Sequence, residues 1–214
     1  AFDNVALWLL APDDETGPLP TAVPAAAIDL DAALALIYAG EPLLEEGFAR
    51  NSIEPWSQDS MEIFVEDRAL HLAIDGNDQE LAQVLQVEGG DVLVEVEADN
   101  LSPAPDAYVG LAVRHVDDDN HYLMVVTQGG KFAFFRRVDG ELSTLVEWQE
   151  SDAIDAGEGA SNLFGVLAAG QELYLLINGE VVAQVQDDAI ASGNVALVAS
   201  SPSAGTMEAI FDDL

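Results

Sequence analysis

Residues 172–188 have the sequence ELYLLINGEVVAQVQDD, in which two apolar runs flank the dipeptide Asn178-Gly179. Both residues of an Asn-Gly pair tolerate the positive φ angles of a two-residue type I′ turn, and that turn matches the twist of paired strands. The stretch therefore predicts a tight antiparallel β-hairpin. Asp139-Gly140 predicts a second hairpin for the same reason.

The sequence around these hairpins keeps a period of two from Met61 to Phe211. Leu70, Leu72 and Ile74, for example, occupy alternate positions, as expected where successive side chains point to opposite faces of a sheet. Further runs of this kind predict strands at 92–97, 109–114, 121–127, 131–137, 142–148, 163–168, 172–177, 181–186, 194–199 and 206–211. About a dozen short strands joined by turns are typical of a sandwich. We therefore predict an all-β, antiparallel jelly-roll sandwich over residues 48–214.

Residues 1–47 differ in kind, because they contain no lysine or arginine and five of the nine prolines. They form an N-terminal arm in three parts. The apolar segment Val5–Leu10 predicts a buried strand, and residues 12–24 form a proline-rich linker. The next residues predict a short helix, with Asp29 as its N-cap, Gly40 at its end, and one apolar face. That face consists of Leu30, Ala33, Leu34, Ile37 and Tyr38.

The apolar strand of the arm needs a partner that covers it. Its residues are Val5, Leu7, Trp8, Leu9 and Leu10. It can extend its own sandwich, or it can add a strand to a neighbouring copy, because exposed sheet edges are templates for strand addition. A head-to-tail contact of the second kind builds a homo-oligomer or a filament. Our leading hypothesis is a non-enzymatic structural protein that self-assembles through this arm.

The charge is extreme, with 40 acidic residues against six basic ones and a net charge of −34. Such a surface repels nucleic acid and anionic lipid and attracts cations, so we expect no nucleic-acid partner.

No run is long enough to span a bilayer. The opening AFDNVALWLLAP lacks a basic n-region. We expect a secreted, extracellular or cell-surface protein whose signal peptide has been removed.

Several segments resemble the strand–turn–strand units of bacterial concanavalin A-like lectin/glucanase sandwiches. They are GLAVRHVDDDNHYLMVV (110–126), FFRRVDGELSTLVEW (134–148), ELYLLINGEVVAQVQDD (172–188), SGNVALVAS (192–200) and FDDL (211–214). The nearest likeness is to LamG-like and 3-keto-disaccharide hydrolase-like domains of secreted bacterial proteins, over residues 48–214. The resemblance implies a jelly roll, an association with carbohydrate and, in many members, bound Ca²⁺.

Two clusters are candidate metal sites. Asp117, Asp118 and Asp119 could supply oxygen ligands to Ca²⁺, the candidate cofactor, or they could cap a turn with their own side chains. The residues His115 and His121 flank this turn, and paired strands could bring them together. A zinc site needs a third ligand with matched geometry, so exposed strand positions are the alternative for these histidines and for His71.

Five aromatic residues could stack on a sugar ring: Trp56, Trp148, Tyr108, Tyr122 and Phe134. We select Tyr122, Phe134 and Trp148 from them as candidates; burial in the core is the alternative. A carbohydrate-binding, lectin-like module is therefore the second function hypothesis. A glycoside hydrolase is the third, and it requires two carboxylates on either side of the scissile bond. Glu95 and Glu97 point to one face of a strand, but no motif singles them out. We predict no catalytic residue.

Overall fold

The computed structural model describes residues 8–9, 30–40, 56–58, 61–75, 79–102, 104–157, 159–201 and 206–212. These residues form 15 strands and one helix. The elements are β1 Trp8–Leu9, α1 Leu30–Tyr38, β2 Trp56–Gln58, β3 Met61–Glu66, β4 Ala69–Asp75, β5 Gln79–Gly89, β6 Val92–Leu101, β7 Tyr108–Asp117, β8 Asn120–Thr127, β9 Lys131–Val138, β10 Glu141–Glu150, β11 Ser161–Ala169, β12 Glu172–Ile177, β13 Glu180–Gln186, β14 Gly193–Ser201 and β15 Thr206–Asp212. The boundary proposed between the arm and the sandwich, at 47/48, lies outside the described residues.

The strands form two antiparallel sheets. The nine-stranded sheet has the order β13-β12-β11-β6-β15-β4-β3-β2, with β1 beside β6, and the six-stranded sheet has the order β10-β9-β8-β7-β14-β5. The sheets pack face to face around a core that includes Leu70, Leu111 and Phe164, all completely buried. Because each strand alternates its side chains between two faces, the period-two pattern supplies this core. The predicted all-β sandwich is confirmed.

Both predicted hairpins are present. Asn178 and Gly179 have φ angles of 49° and 81° and join the paired residues Ile177 and Glu180. Asp139 and Gly140 do the same between β9 and β10, with φ angles of 51° and 79°. The positive φ at both positions of each turn is the feature that Asn-Gly and Asp-Gly pairs tolerate.

The helix is also present at the predicted position, and it lies on the outer face of the nine-stranded sheet. Its predicted apolar face supplies Leu30, Leu34 and Ile37, which pack on a buried cluster of Leu93, Leu167, Tyr174 and Leu176. The backbone N–H of Gly40 donates to the carbonyl of Ile37 at 2.9 Å as the helix ends. The predicted N-cap, Asp29, lies outside the described residues.

The arm strand β1 pairs with β6 of the same chain, with Trp8 opposite Leu93 and Leu9 opposite Val92. On that side of β6, strand β15 reaches only as far as Glu97, so β1 continues the sheet beyond the end of β15. This pairing is the intramolecular alternative for the arm. It gives no support to self-assembly through the arm, our leading hypothesis from the sequence. Val5, Leu7 and Leu10 lie outside the described residues.

In the described part of the chain, no helix has the length and apolar character needed to cross a membrane.

Candidate functional site

The outer face of the six-stranded sheet is apolar at its centre. On the four central strands, alternate residues face away from the core. They are Tyr108, Gly110 and Ala112 of β7; His121, Leu123, Val125 and Thr127 of β8; Lys131, Ala133, Phe135 and Arg137 of β9; and Ala196, Val198 and Ser200 of β14. We call this surface the outer face. Its middle is built from small residues, because glycine and alanine occupy the positions beside Val125 and Leu123.

Three aromatic side chains gather on the outer face and form what we call the aromatic cluster: Tyr108, Phe135 and Trp148. The Trp148 ring lies 5.9 Å from the Phe135 ring in an edge-on contact and 6.3 Å from the Tyr108 ring, measured between centroids. Tyr108 and Trp148 belong to strands β7 and β10, which are about 14 Å apart across three strand spacings. Their rings therefore lean towards each other over the small residues between them. Val125 and Ala133, which lie on these intervening strands, are completely buried.

The polar edge of the aromatic cluster holds Tyr108 in place. Its hydroxyl donates to the Oε2 atom of Glu80 on β5 at 2.7 Å. Burial raises the pKa of the Tyr108 hydroxyl, and the neighbouring carboxylate of Glu80 raises it further, so this group stays protonated at physiological pH. Trp148 remains 43% exposed. The cluster thus combines a fixed polar group with an aromatic ring that is open to solvent.

Two of the three predicted sugar-stacking residues lie elsewhere. Tyr122 and Phe134 stack on each other at 6.0 Å, but both are completely buried between the sheets, so their prediction as a stacking surface is wrong. The Tyr122 hydroxyl donates to Oδ1 of Asp187 at 2.6 Å, and burial together with this bond raises the pKa of Tyr122 to about 12. Trp148 alone of the three reaches the solvent.

The acidic turn between β7 and β8 bonds to its own backbone and side chains. Oδ1 of Asp117 accepts hydrogen bonds from the backbone N–H of Asp119 at 3.0 Å and from the Nδ2 atom of Asn120 at 2.8 Å. The bond from Asn120 is the main reason that the pKa of Asp117 is lowered. Within the described ranges, no group of three or more His, Cys, Asp or Glu residues is arranged to hold a metal. Calcium binding by Asp117, Asp118 and Asp119 stays a prediction.

His115 and His121 are brought together beside this turn, as strand pairing predicted. Their rings stack with centroids 5.4 Å apart, and Nε2 of His115 lies 3.7 Å from Oδ1 of Asp118. Burial lowers the pKa of His115, and the neighbouring His121 lowers it further. His115 and His71 are buried rather than exposed, which corrects the expectation of exposed strand positions. The Nδ1 atom of His71 lies 2.7 Å from Oε1 of Glu208.

Glu95 and Glu97 lie on the outer side of the other, nine-stranded sheet. Glu95 is buried beneath the helix, where its Oε1 atom accepts a hydrogen bond from the Tyr38 hydroxyl at 2.9 Å. Burial raises the pKa of Glu95, while the bond from Tyr38 opposes that rise. Oε1 of Glu97 accepts from the Ser161 hydroxyl at 2.6 Å. Both carboxylates therefore bond to the fold itself, and neither lies on the outer face.

Phe135 and Arg137 were not among the residues predicted from the sequence, and Tyr108 was not among the three aromatic residues selected as candidates. The doublets of the segment FFRR (134–137) could have indicated Phe135 and Arg137. Because side chains alternate along a strand, each doublet sends one residue to each face. Phe134 and Arg136 therefore point into the sandwich, and Phe135 and Arg137 point outwards.

Solved structures with the same sandwich include carbohydrate-active proteins of low sequence identity. A carbohydrate-binding module from Bacillus subtilis has a TM-score of 0.55 and 17% identity, over 67% of this chain and 83% of the module. A β-1,3-1,4-glucanase (lichenase) derived from a mouse hindgut metagenome has a TM-score of 0.60 and 15% identity, over 79% of this chain and 95% of the enzyme. The catalytic domain of an endo-1,3-β-glucanase (laminarinase) from Thermotoga petrophila has a TM-score of 0.57 and 8% identity, over 79% of this chain and 94% of that domain.

No protein-family model matches the sequence, and no curated protein matches it either. The structural similarity therefore concerns the fold alone. The chain shares the two-sheet sandwich fold of these proteins, which is the fold implied by its resemblance to concanavalin A-like lectin/glucanase sandwiches.

Proposed function

We propose that this protein binds carbohydrate through the outer face of the six-stranded sheet. The observation that carries the proposal is the exposed ring of Trp148, which is fixed by contacts with Tyr108 and Phe135. An aromatic ring buries the apolar face of a pyranose, and the polar edge of the sugar then needs hydrogen-bonding partners. A ring that is already held in place loses little conformational entropy on binding.

The polar groups around the aromatic cluster suit the hydroxyl groups of a sugar. Glu80 lies at one edge, where it already accepts from the Tyr108 hydroxyl. Lys131 is exposed on the outer face on β9, whereas the hydroxyl of Thr127 beside it is buried and already bonds to the Lys131 backbone. An apolar surface with a few polar groups at its margin is the usual composition of a small-molecule or glycan site.

The outer face favours binding over hydrolysis. A glycosidase places two carboxylates on either side of the bond that it cleaves. Among the described residues of β7, β8, β9 and β14, none of the side chains pointing out of the sandwich between the strand ends is acidic. The centre of the outer face therefore lacks the residues for that reaction.

The structural neighbours support the same class of function, since one is a carbohydrate-binding module and others are glucanases. The proposal includes a secreted or cell-surface location, for which the sequence is the support. Self-assembly through Val5–Leu10 is not part of the proposal, because β1 pairs with its own chain.

Glycan binding by the full chain tests the proposal. We expect at least one polysaccharide in a broad array to bind, and Trp148→Ala to weaken that binding by about tenfold or more, which is about 1.4 kcal/mol. Trp148→Phe should retain part of the affinity, because it keeps an aromatic ring. Val181→Ala, an exposed apolar position on the edge strand of the other sheet, is the control and should bind as the unchanged chain does. Equal binding by Trp148→Ala and the unchanged chain would remove Trp148 from the site, and no binding to any glycan would overturn the proposed function.

A further inference from the structure

The few basic residues of this acidic chain are distributed unevenly. Six lysines and arginines stand against 40 acidic residues. Arg114 and Arg136 point into the fold, where they hydrogen-bond to the Ile190 carbonyl and to Asp187. Arg68 lies in the β3–β4 turn, and Arg50 lies outside the described residues. Lys131 and Arg137 both lie on the outer face. Two of the five described basic residues therefore share one strand and one surface.

Arg137 uses little of its bonding capacity within the fold. A guanidinium carries five N–H donors, and the hydrogen bond that Arg137 makes is a long one, from Nη1 to the carbonyl of Asp118 at 3.3 Å. Its Nε atom is enclosed and has no hydrogen-bond partner among the described residues, and the same holds for Nε of Arg136. No carboxylate of those residues forms an ion pair with Arg137. Its neighbour Arg136, in contrast, binds Asp187 at 2.6 Å.

Among the described residues, Arg137 therefore has a backbone carbonyl as its partner but no carboxylate. Arginine is the residue best suited to binding a carboxylate, because its planar fork can donate two parallel hydrogen bonds. A ligand carboxylate would give the Nη atoms of Arg137 a charged acceptor, which the described residues do not supply.

Arg137 borders the aromatic cluster. It lies two positions after Phe135 on the same face of β9, about 7 Å along the strand, and Phe135 contacts Trp148. The positive charge of Arg137 also acts on Tyr108, whose pKa it lowers against the larger effect of burial. A sugar that stacks on the aromatic cluster would thus have the guanidinium at its edge.

We propose that the outer face selects an acidic glycan, with Arg137 binding the carboxylate of a uronate residue that stacks on the aromatic cluster. This inference rests on the proposed function and adds the ligand class and a specificity-determining residue. The chain's net negative charge does not prevent such binding. The Debye length is about 8 Å at physiological salt, so the repulsion between the ligand and exposed acidic groups farther away than this is largely screened. The contact between guanidinium and carboxylate is much shorter than that distance.

The test compares each polyuronate with a form that lacks the charge. Homogalacturonan would be compared with its methyl ester, and alginate with its carboxyl-reduced form, by calorimetry at physiological salt. We expect the full chain to bind at least one free acid about tenfold or more tightly than its neutral counterpart, the size of effect produced by a charged hydrogen bond. Arg137→Gln should reduce this ratio to about one. Arg137→Lys should give an intermediate ratio, because it keeps the charge but not the fork.

Arg68→Gln is the matched control. It removes the same charge from an exposed turn of the other sheet and should leave the ratio unchanged. Binding of neutral glycans without preference for the free acids would overturn this inference and leave the proposed function intact, whereas failure to bind any glycan would overturn both. If Arg137→Gln kept the preference for the free acids, the assignment of Arg137 as the residue that binds the carboxylate would be overturned.

Discussion

Arg114 offers the sharpest test of how this sandwich is held together at one end. The side chain is 2% exposed and donates three hydrogen bonds to backbone carbonyls: from Nε to Gly90 at 3.0 Å, from Nη1 to Ile190 at 3.0 Å and from Nη2 to Gly170 at 2.8 Å. These carbonyls belong to the β5–β6 turn, the β13–β14 loop and the β11–β12 turn. One guanidinium therefore ties together three connections that are distant in sequence.

Replacing Arg114 by methionine keeps much of the side-chain volume but leaves three carbonyls without this donor. A hydrogen bond to a charged group contributes about 1.5–3 kcal/mol. Two of the three bonds are only partly buried, so water can replace part of what is lost. We therefore expect a net loss of about 3–5 kcal/mol, the range found when one partner of a buried charged contact is removed. In a chain of this length that corresponds to a fall in Tm of about 10 °C.

The assay is unfolding by urea and by heat, followed by circular dichroism in buffer with moderate salt. Arg68→Met is the control, because it makes the same change in net charge at an exposed turn, and we expect it to change the free energy of unfolding by less than about 0.5 kcal/mol. Arg114→Lys should lower the free energy of unfolding by an intermediate amount, since one ammonium group reaches fewer carbonyls than the guanidinium does. If Arg114→Met cost no more than Arg68→Met, the three carbonyls would not depend on the guanidinium and the reasoning would fail.

The remaining predictions concern charge, pH and two local features. Because the net charge is −34, Tm should rise as NaCl shortens the Debye length from about 30 Å to about 3 Å; a larger rise in CaCl₂ at matched ionic strength would support a specific calcium site, and equal rises would mean screening alone. Burial raises the pKa of Glu95, so the folded state binds that proton more tightly than the unfolded state, and stability should fall as pH rises from the ordinary value through the folded pKa. Glu95→Gln can still accept from Tyr38, so it should be more stable at neutral pH and lose that slope; unchanged pH profiles would contradict this. Gly179→Ala should lower the free energy of unfolding by about 1 kcal/mol in urea titrations, because φ is 81° at this position. An unchanged free energy of unfolding would contradict the need for glycine in this turn. Deleting residues 1–11 should lower Tm but leave the mass in light scattering unchanged, because β1 pairs within its own chain; a change from oligomer to monomer would restore the assembly hypothesis.

Local chemistry was sufficient to predict most elements of this fold, although the predicted strands did not include β5 (Gln79–Gly89). The hairpin at Asn178-Gly179 follows from two residues that tolerate positive φ, and α1 follows from an apolar face with a period of 3.6. Both depend on neighbours within a few positions in sequence. The period-two runs then predicted two sheets, because each run has one face that must be buried.

The direction of each face required the tertiary structure. Strands β8 and β9 are apolar on both sides, so alternation alone cannot tell which set of residues points inwards. Phe134 and Phe135 are adjacent and chemically identical, yet one is in the core and the other contacts Trp148 on the outer face. Choosing Phe134 was wrong because a shift of one residue exchanges the two faces.

The candidate site is tertiary for the same reason. Tyr108 and Trp148 are 40 positions apart, and their rings meet only because β8 and β9 lie between their strands in one sheet. The state of Arg137 also depends on what the fold places near it, since the same residue type at position 136 is paired with Asp187. Sequence alone determined the composition, the turns and the periodicity, all of which act locally. Long-range pairing decided which side chains meet, because the energy of a contact depends on distance in space rather than on separation along the chain.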